Sequence, residues 1–95
     1  MPDHAAAARL PGRLTLERAV PTLEQLSAAL LQTDGVDAVL DGADLGECDS
    51  SAVAVLLELR RVLQANGRTL RLCNSPQRLR DLVALYGVQE LLPTV

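Results

Sequence analysis

Residues 47–61 have the sequence ECDSSAVAVLLELRR, in which a short polar turn separates the end of a predicted strand from a long predicted helix. Asp49, Ser50 or Ser51 can each accept hydrogen bonds from the free N–H groups of the first helical turn, and a negative side chain there also complements the helix dipole. The pattern therefore predicts a helix from about Ser51 to Ala65 that one of these three residues caps.

The predicted helix has two different faces. At about 100° per residue, one stripe is apolar and wide enough to be the core face. That stripe consists of Ala52, Val55, Leu56, Leu59, Val62 and Leu63. Ser50 lies on another side of the helix, together with Val53, Leu57 and Arg61. A hydroxyl beside an outward apolar patch indicates a docking surface that phosphorylation can switch, because a phosphate adds charge in the middle of the contact. The alternative is that Val53 and Leu57 lie under a neighbouring helix or loop.

The start of this helix carries a family resemblance. Residues 49–56, DSSAVAVL, resemble the DSSGLGVL signature of STAS domains, the fold of anti-sigma-factor antagonists and of sulfate-transporter cytoplasmic domains. The resemblance extends from about Leu10 to Pro93 and is strongest to the MlaB-like STAS subunit of the Mla phospholipid ABC transporter, where a threonine stands at the Ser50 position. It implies an α/β fold with a mixed, partly parallel sheet whose helices lie mainly on one face. Residues 10–95 are expected to form this domain.

Two functions follow from the resemblance, and they differ in the partner. In the first, the protein is a non-enzymatic cytoplasmic subunit that docks on the ATPase of a phospholipid ABC transporter and supports its assembly and activity. The ending at residues 82–93, LVALYGVQELLP, is similar to the ending of those subunits. In the second, the protein is an anti-sigma-factor antagonist that binds an anti-sigma kinase until Ser50 is phosphorylated, as the first serine of the motif is in the antagonists. The Ser50-Ser51 pair favours this second function.

The same set of residues is the predicted partner-binding surface under either function. It consists of Asp49, Ser50, Ser51, Val53, Leu57 and Arg61. Ala52 departs from the motif, which has glycine there; if a partner backbone approaches at this position, the alanine methyl group is expected to hinder it.

Composition argues against catalysis and against nucleic-acid binding. The net charge is −3 and the pI about 4.9. These values argue against a nucleic-acid-binding protein, which needs a basic stripe to neutralise phosphates. All nine basic residues are arginine, which excludes a lysine nucleophile. The single histidine, His4, falls in the N-terminal tail predicted at residues 1–9, so we expect no ordered base that could activate a serine. We also expect no metal site and no cofactor. The carboxylates of Asp41 and Asp44 are interpreted as turn residues.

Other features favour the cytoplasm. No apolar run reaches the length of a membrane span, and the start at residues 1–5, MPDHA, lacks the pattern of a signal peptide. Cys48 and Cys73 are interpreted as small hydrophobic residues that stay reduced.

The remaining chain predicts strands that alternate with helices, which implies crossover connections and parallel pairing. The predicted elements are a strand at Arg13–Glu17, a helix at about Leu23–Gln32 that a Thr22/Gln25 capping box begins, strands at Val36–Asp41 and Thr69–Cys73, and a last helix. That helix is expected to begin at Pro76 and to bury Leu79, Leu82, Val83 and Tyr86.

A third function, binding of a small ligand or lipid, requires a sizeable apolar pocket. A chain of 95 residues with Tyr86 as its one aromatic residue is not expected to line such a pocket without hollowing its core. A large enclosed cavity in the structure would revive this hypothesis.

Overall fold

A computed structural model describes residues 6–95. The strands are β1 (Ala8–Arg9), β2 (Arg13–Leu14), β3 (Asp37–Asp41), β4 (Glu47–Cys48) and β5 (Thr69–Cys73), and the helices are α1 (Ala19–Leu31), α2 (Ser50–Ala65) and α3 (Gln77–Leu85). Short 3₁₀ helices at Leu16–Arg18 and Gln89–Leu91 precede α1 and follow α3.

The strands form two small parallel sheets. β3 lies between β1 and β5 in the first sheet, and β2 pairs with β4 in the second. Every pairing between the described strands is parallel, whereas the sequence led us to expect a mixed sheet. The α/β class is confirmed, and α2 is the crossover connection that separates β3 and β4 from β5.

The helices pack on one face of the three-stranded sheet. Ala38 and Leu40 of β3, with Leu70 and Leu72 of β5, belong to the core cluster, which also contains the buried apolar side chains of all three helices. The residues that alternate with them on β5 are half-buried. Along β5, the period of two therefore separates a helix-covered face from a more open one, whereas Val39 on the central strand β3 is also buried.

The beginning of the chain differs from its prediction. Ala8–Arg9 form β1, so ordered structure begins within the segment that was predicted to be a tail. His4 and the other residues of 1–5 lie outside the described part of the chain. The predicted strand at Arg13–Glu17 ends at Leu14, since the chain turns into a 3₁₀ helix at Leu16.

α1 begins four residues earlier than predicted, at Ala19. The Thr22/Gln25 capping box is wrong, because Thr22 is buried within the helix. Pro21 is tolerated in the first turn, where its missing N–H would have no partner in the helix.

The ends of α2 and α3 agree better with the sequence. Gly67 follows α2 with a φ of 72°, the left-handed conformation that the Asn66-Gly67 pair predicts. Leu79, Leu82 and Val83 are buried as predicted. Tyr86 is 54% exposed, so its predicted burial is wrong; α3 ends at Leu85 and the chain turns away at this point.

Both cysteines lie at strand ends and neither forms a disulfide. Cys48 is buried and Cys73 half-buried. Burial raises the pKa of both thiols, which disfavours the reactive thiolate.

Candidate docking site

The N-terminus of α2 is capped by Asp49. Its Oδ1 atom accepts a hydrogen bond from the Ser51 N–H at 2.9 Å. Its Oδ2 atom accepts a second one from the Leu16 N–H at 3.2 Å, so one carboxylate ties the helix start to the 3₁₀ turn before α1. These bonds, above all the one from Ser51, hold the pKa of Asp49 below its usual value. Of the three cap candidates in the sequence, the structure therefore selects Asp49.

Ser50 is the first residue of α2 and is exposed. One exposed stripe runs from it along the helix at helical spacing, through Ala54 and the half-buried Leu57 to Arg61. The structure thus places three of the predicted site residues, Ser50, Leu57 and Arg61, on one side of α2. Leu57 also packs against the core at its edge.

The guanidinium group of Arg61 is engaged within its own helix. Its Nε donates to Glu58 Oε1 at 2.9 Å, one turn earlier. The hydrogen bond from Arg61 lowers the pKa of Glu58, and the carboxylate in turn raises the pKa of Arg61. The pair is solvent-exposed, so it presents a charge of each sign at the end of the stripe.

The expectation that Val53 faces outward is wrong. Its side chain is 4% exposed and belongs to the core cluster. The reason is that α1 and α3 both pack against α2, so its buried face is wider than the single stripe that the sequence indicated. Ala52 is fully buried. Its methyl group therefore points into the core and cannot hinder an approaching partner, contrary to our expectation.

An apolar groove that the sequence did not predict adjoins the start of α2. It has a volume of about 200 Å³ and lies between the 3₁₀ turn with the beginning of α1 on one side and α2 on the other. Its lining residues are Leu16, Ala19, Val20, Leu23, Ser51, Ala54 and Val55. Leu16 is 75% exposed and Val20 65% exposed, so two large apolar side chains lie in solvent along the same groove. Ala54 belongs both to the groove and to the stripe that begins at Ser50.

The exposed residues of the groove and the stripe on α2 form one surface, which we call the docking face. It consists of Leu16, Val20, Ser50, Ala54, Leu57 and Arg61. Sequence reasoning missed Leu16 because it placed this residue in a half-buried strand with Leu14. It missed Val20 because it began α1 too late. The Pro21 that follows Val20 was the available signal, since proline is favoured in a first helical turn.

The acidic turn between β3 and β4 is a separate feature. Asp41 Oδ1 accepts from the Ala43 N–H at 2.8 Å and from Asn74 Nδ2 at 3.1 Å. These bonds lower the pKa of Asp41. Asp44 pairs with Arg9 at 3.1 Å. Both carboxylates thus have structural partners, as expected of turn residues.

Comparison with known proteins identifies the family of this chain. The family model described as "Mlab, STAS domain" matches residues 1–93. The chain belongs to this STAS family. Proteins with STAS domains are typically regulatory or accessory proteins. Among curated protein sequences, none matches this STAS domain significantly.

Two solved structures share the fold of this STAS domain. The anti-sigma factor antagonist SpoIIAA in its unphosphorylated form is 23% identical, with a TM-score of 0.70 over 92% of this chain and 76% of that one. The Bacillus cell fate determinant SpoIIAA in its phosphorylated form is 21% identical, with a TM-score of 0.65 over 96% of this chain and 85% of that one. At this identity the likeness establishes the STAS fold that the sequence predicted.

Within residues 6–95, no helix of the STAS domain is long and apolar enough to cross a membrane.

Proposed function

We propose that this STAS domain is a non-enzymatic accessory subunit that docks, through the docking face, on the ATPase of an Mla-type phospholipid ABC transporter. In this role it works in the cytoplasm, is held at the membrane through the transporter complex, and supports the assembly and activity of the ATPase. The match to the MlaB-type family supports this choice of partner.

The observation that carries the proposal is the exposed apolar surface at the start of α2. Leu16 and Val20 leave large apolar side chains in solvent beside the exposed Ser50. Contiguous apolar surface of this kind is typical of a protein contact. The Asp49 cap joins the two elements that carry it, so the surface is preorganised before a partner binds.

The groove and the stripe suit a helix or loop with apolar side chains and a polar edge. Apolar groups would fill the groove beside Val20, and the Glu58–Arg61 pair would lie at the rim of the contact. A polar rim around an apolar centre is the usual anatomy of such interfaces.

A second function, that of an anti-sigma-factor antagonist, is favoured by one specific observation. Ser50 is exposed at the N-terminus of α2, next to the Asp49 carboxylate and the apolar groove. A phosphate on Ser50 would therefore place charge beside Asp49 and within the docking face, which would release an apolar partner. The likeness to SpoIIAA, solved with and without phosphate, is compatible with this role.

Affinity purification of the tagged protein from its own cells tests the proposal, with mass spectrometry of the co-purifying proteins and of the Ser50 peptide. We expect an ABC ATPase and its permease, with Ser50 unmodified. Recovery of a histidine-kinase-like anti-sigma factor instead, or a phosphate on Ser50, would overturn the transporter assignment and support the second function.

A further inference from the structure

A partly open cavity of about 350 Å³ lies on another part of the domain, between α3 and the segment that follows it. It shares no residue with the docking face. Its wall is mostly apolar, and the side chains that form it come from β5, α3 and the C-terminal segment. They are Leu72, Leu79, Val83, Leu92 and Pro93.

Backbone hydrogen bonds hold this wall in place. The Leu72 N–H donates to the Pro93 carbonyl oxygen at 2.9 Å, and the Val95 N–H donates to the Leu72 carbonyl oxygen at the same distance. The C-terminal segment therefore continues the sheet beside β5, with Thr94 in parallel register with Leu72. Main-chain bonds therefore fix the β5 and C-terminal parts of the wall relative to each other.

The size of the cavity is that of a ligand site. Engineered apolar cavities of about 150 Å³ bind benzene, and natural small-molecule sites begin at about 300 Å³. Leu79 and Leu92 are almost fully buried, at 1% and 3% exposure, so an apolar group that entered would contact core side chains rather than a surface. The sequence led us to expect no sizeable apolar pocket; the structure has this cavity of about 350 Å³, which is partly open rather than enclosed.

The lining also has a polar and positively charged part. It consists of Ser75, Gln89, Thr94 and Arg80, and Arg80 is the one charged residue among the lining side chains that the structure describes. Arg80 Nη2 donates to the neutral Gln77 Oε1 at 2.6 Å. Within residues 6–95 its guanidinium group lies in no ion pair. Its remaining donors match the two oxygens of a carboxylate.

We propose that this cavity binds a small amphiphile that has an unbranched apolar tail and a carboxylate head, with the tail against Leu79, Val83 and Leu92 and the head at Arg80. The apolar wall gives the binding free energy, because the tail leaves water for a preformed apolar space. Arg80 selects an anionic head over a neutral one.

Decanoate, below its micellar concentration, is the probe. The full chain with isotope-labelled methyl groups is titrated and followed by NMR. We expect saturable shifts of the Leu79, Val83 and Leu92 methyl signals, while those of Leu16 and Val20 stay in place. Shifts that do not saturate, or that concentrate at Leu16 and Val20, would overturn the site.

Substitutions separate the two parts of the site. Arg80→Gln should weaken decanoate binding by about fivefold, the factor expected of a partly exposed ion pair, and should leave binding of the neutral decanol unchanged. Arg78→Gln is the matched control, because it removes the same charge from α3 at a residue that does not line the cavity. If both substitutions weaken decanoate equally, or if neither does, the assignment of Arg80 is wrong.

Val83→Phe should fill the cavity and abolish binding of both probes. A thermal melt shows whether this variant is folded. If it is not folded, the NMR titration of the unsubstituted chain with decanoate decides whether the cavity is the binding site. The test of this cavity is independent of the proposed function. Leu16→Ala removes part of the docking face but no residue of the cavity, so this variant should bind decanoate as the unsubstituted domain does.

Discussion

Leu16→Ala is expected to weaken the contact with the ATPase by about tenfold. The Leu16 side chain is 75% exposed in the free domain. Full burial of a leucine contributes about 1.5–3 kcal/mol relative to exposure, so about three quarters of that range, about 1–2 kcal/mol, is available when a partner covers it. A loss of 1.4 kcal/mol corresponds to about a tenfold change in the dissociation constant. The stability of the domain should change by less than about 0.5 kcal/mol, because the side chain lies in solvent.

The assay for this variant is biolayer interferometry with the ATPase recovered in the affinity purification. Leu85→Ala is the matched control, since Leu85 is also 75% exposed but lies at the end of α3. We expect the Leu85 variant to bind as the unsubstituted domain does. Equal affinities for the Leu16 variant and the unsubstituted domain would refute the placement of the groove inside the contact. Equal losses in the two variants would show that the effect is not specific to the docking face.

Three further predictions concern α2. Val53→Ala should lower the free energy of unfolding by about 2 kcal/mol in chemical denaturation, since two buried methyl groups at about 0.8 kcal/mol each are lost and a cavity remains; an unchanged stability would contradict its place in the core. Asp49→Ala should lower the melting temperature at pH 7. Because the folded-state pKa of Asp49 lies below its ordinary value, its contribution is present above the unfolded-state pKa and is lost as pH falls through the folded-state pKa. The difference in melting temperature between the Asp49→Ala variant and the unsubstituted domain should therefore become smaller below about pH 4. A difference that does not change with pH would contradict a charged cap. Ser50→Thr should leave ATPase binding unchanged in a pull-down and Ser50→Asp should reduce it; release of an anti-sigma kinase by Ser50→Asp would instead support the antagonist.

Much of the fold could be predicted from local patterns. α2 and β5 have long or regular apolar periodicity, and Gly67 marks the stop between them, so their bounds were predicted to within one residue. The errors lie where tertiary packing overrides a short pattern. Leu14 and Leu16 alternate as in a strand, yet the hydrogen bond from the Leu16 N–H to Asp49 helps to hold this segment in a turn.

The site was predicted in part for the same reason. Ser50 and Arg61 are exposed as their helical positions indicated, because α2 is regular. The burial of Val53 depends on how many helices cover α2, and a single sequence does not show that number. The groove beside Val20 depends on the relative placement of two segments that are about thirty residues apart in the chain. The cavity at Arg80 likewise requires the C-terminal segment to pair with β5.

Site-specific photo-crosslinking in the native cells tests the central claim most directly. A benzophenone amino acid replaces Ala54 in one variant and Ala84 in another, both being exposed alanines in helices, on α2 and α3 respectively. We predict that the probe at position 54 crosslinks to an ABC ATPase and that the probe at position 84 does not. Crosslinks to the ATPase from position 84 alone, or crosslinks from position 54 to a different class of protein, would contradict the account.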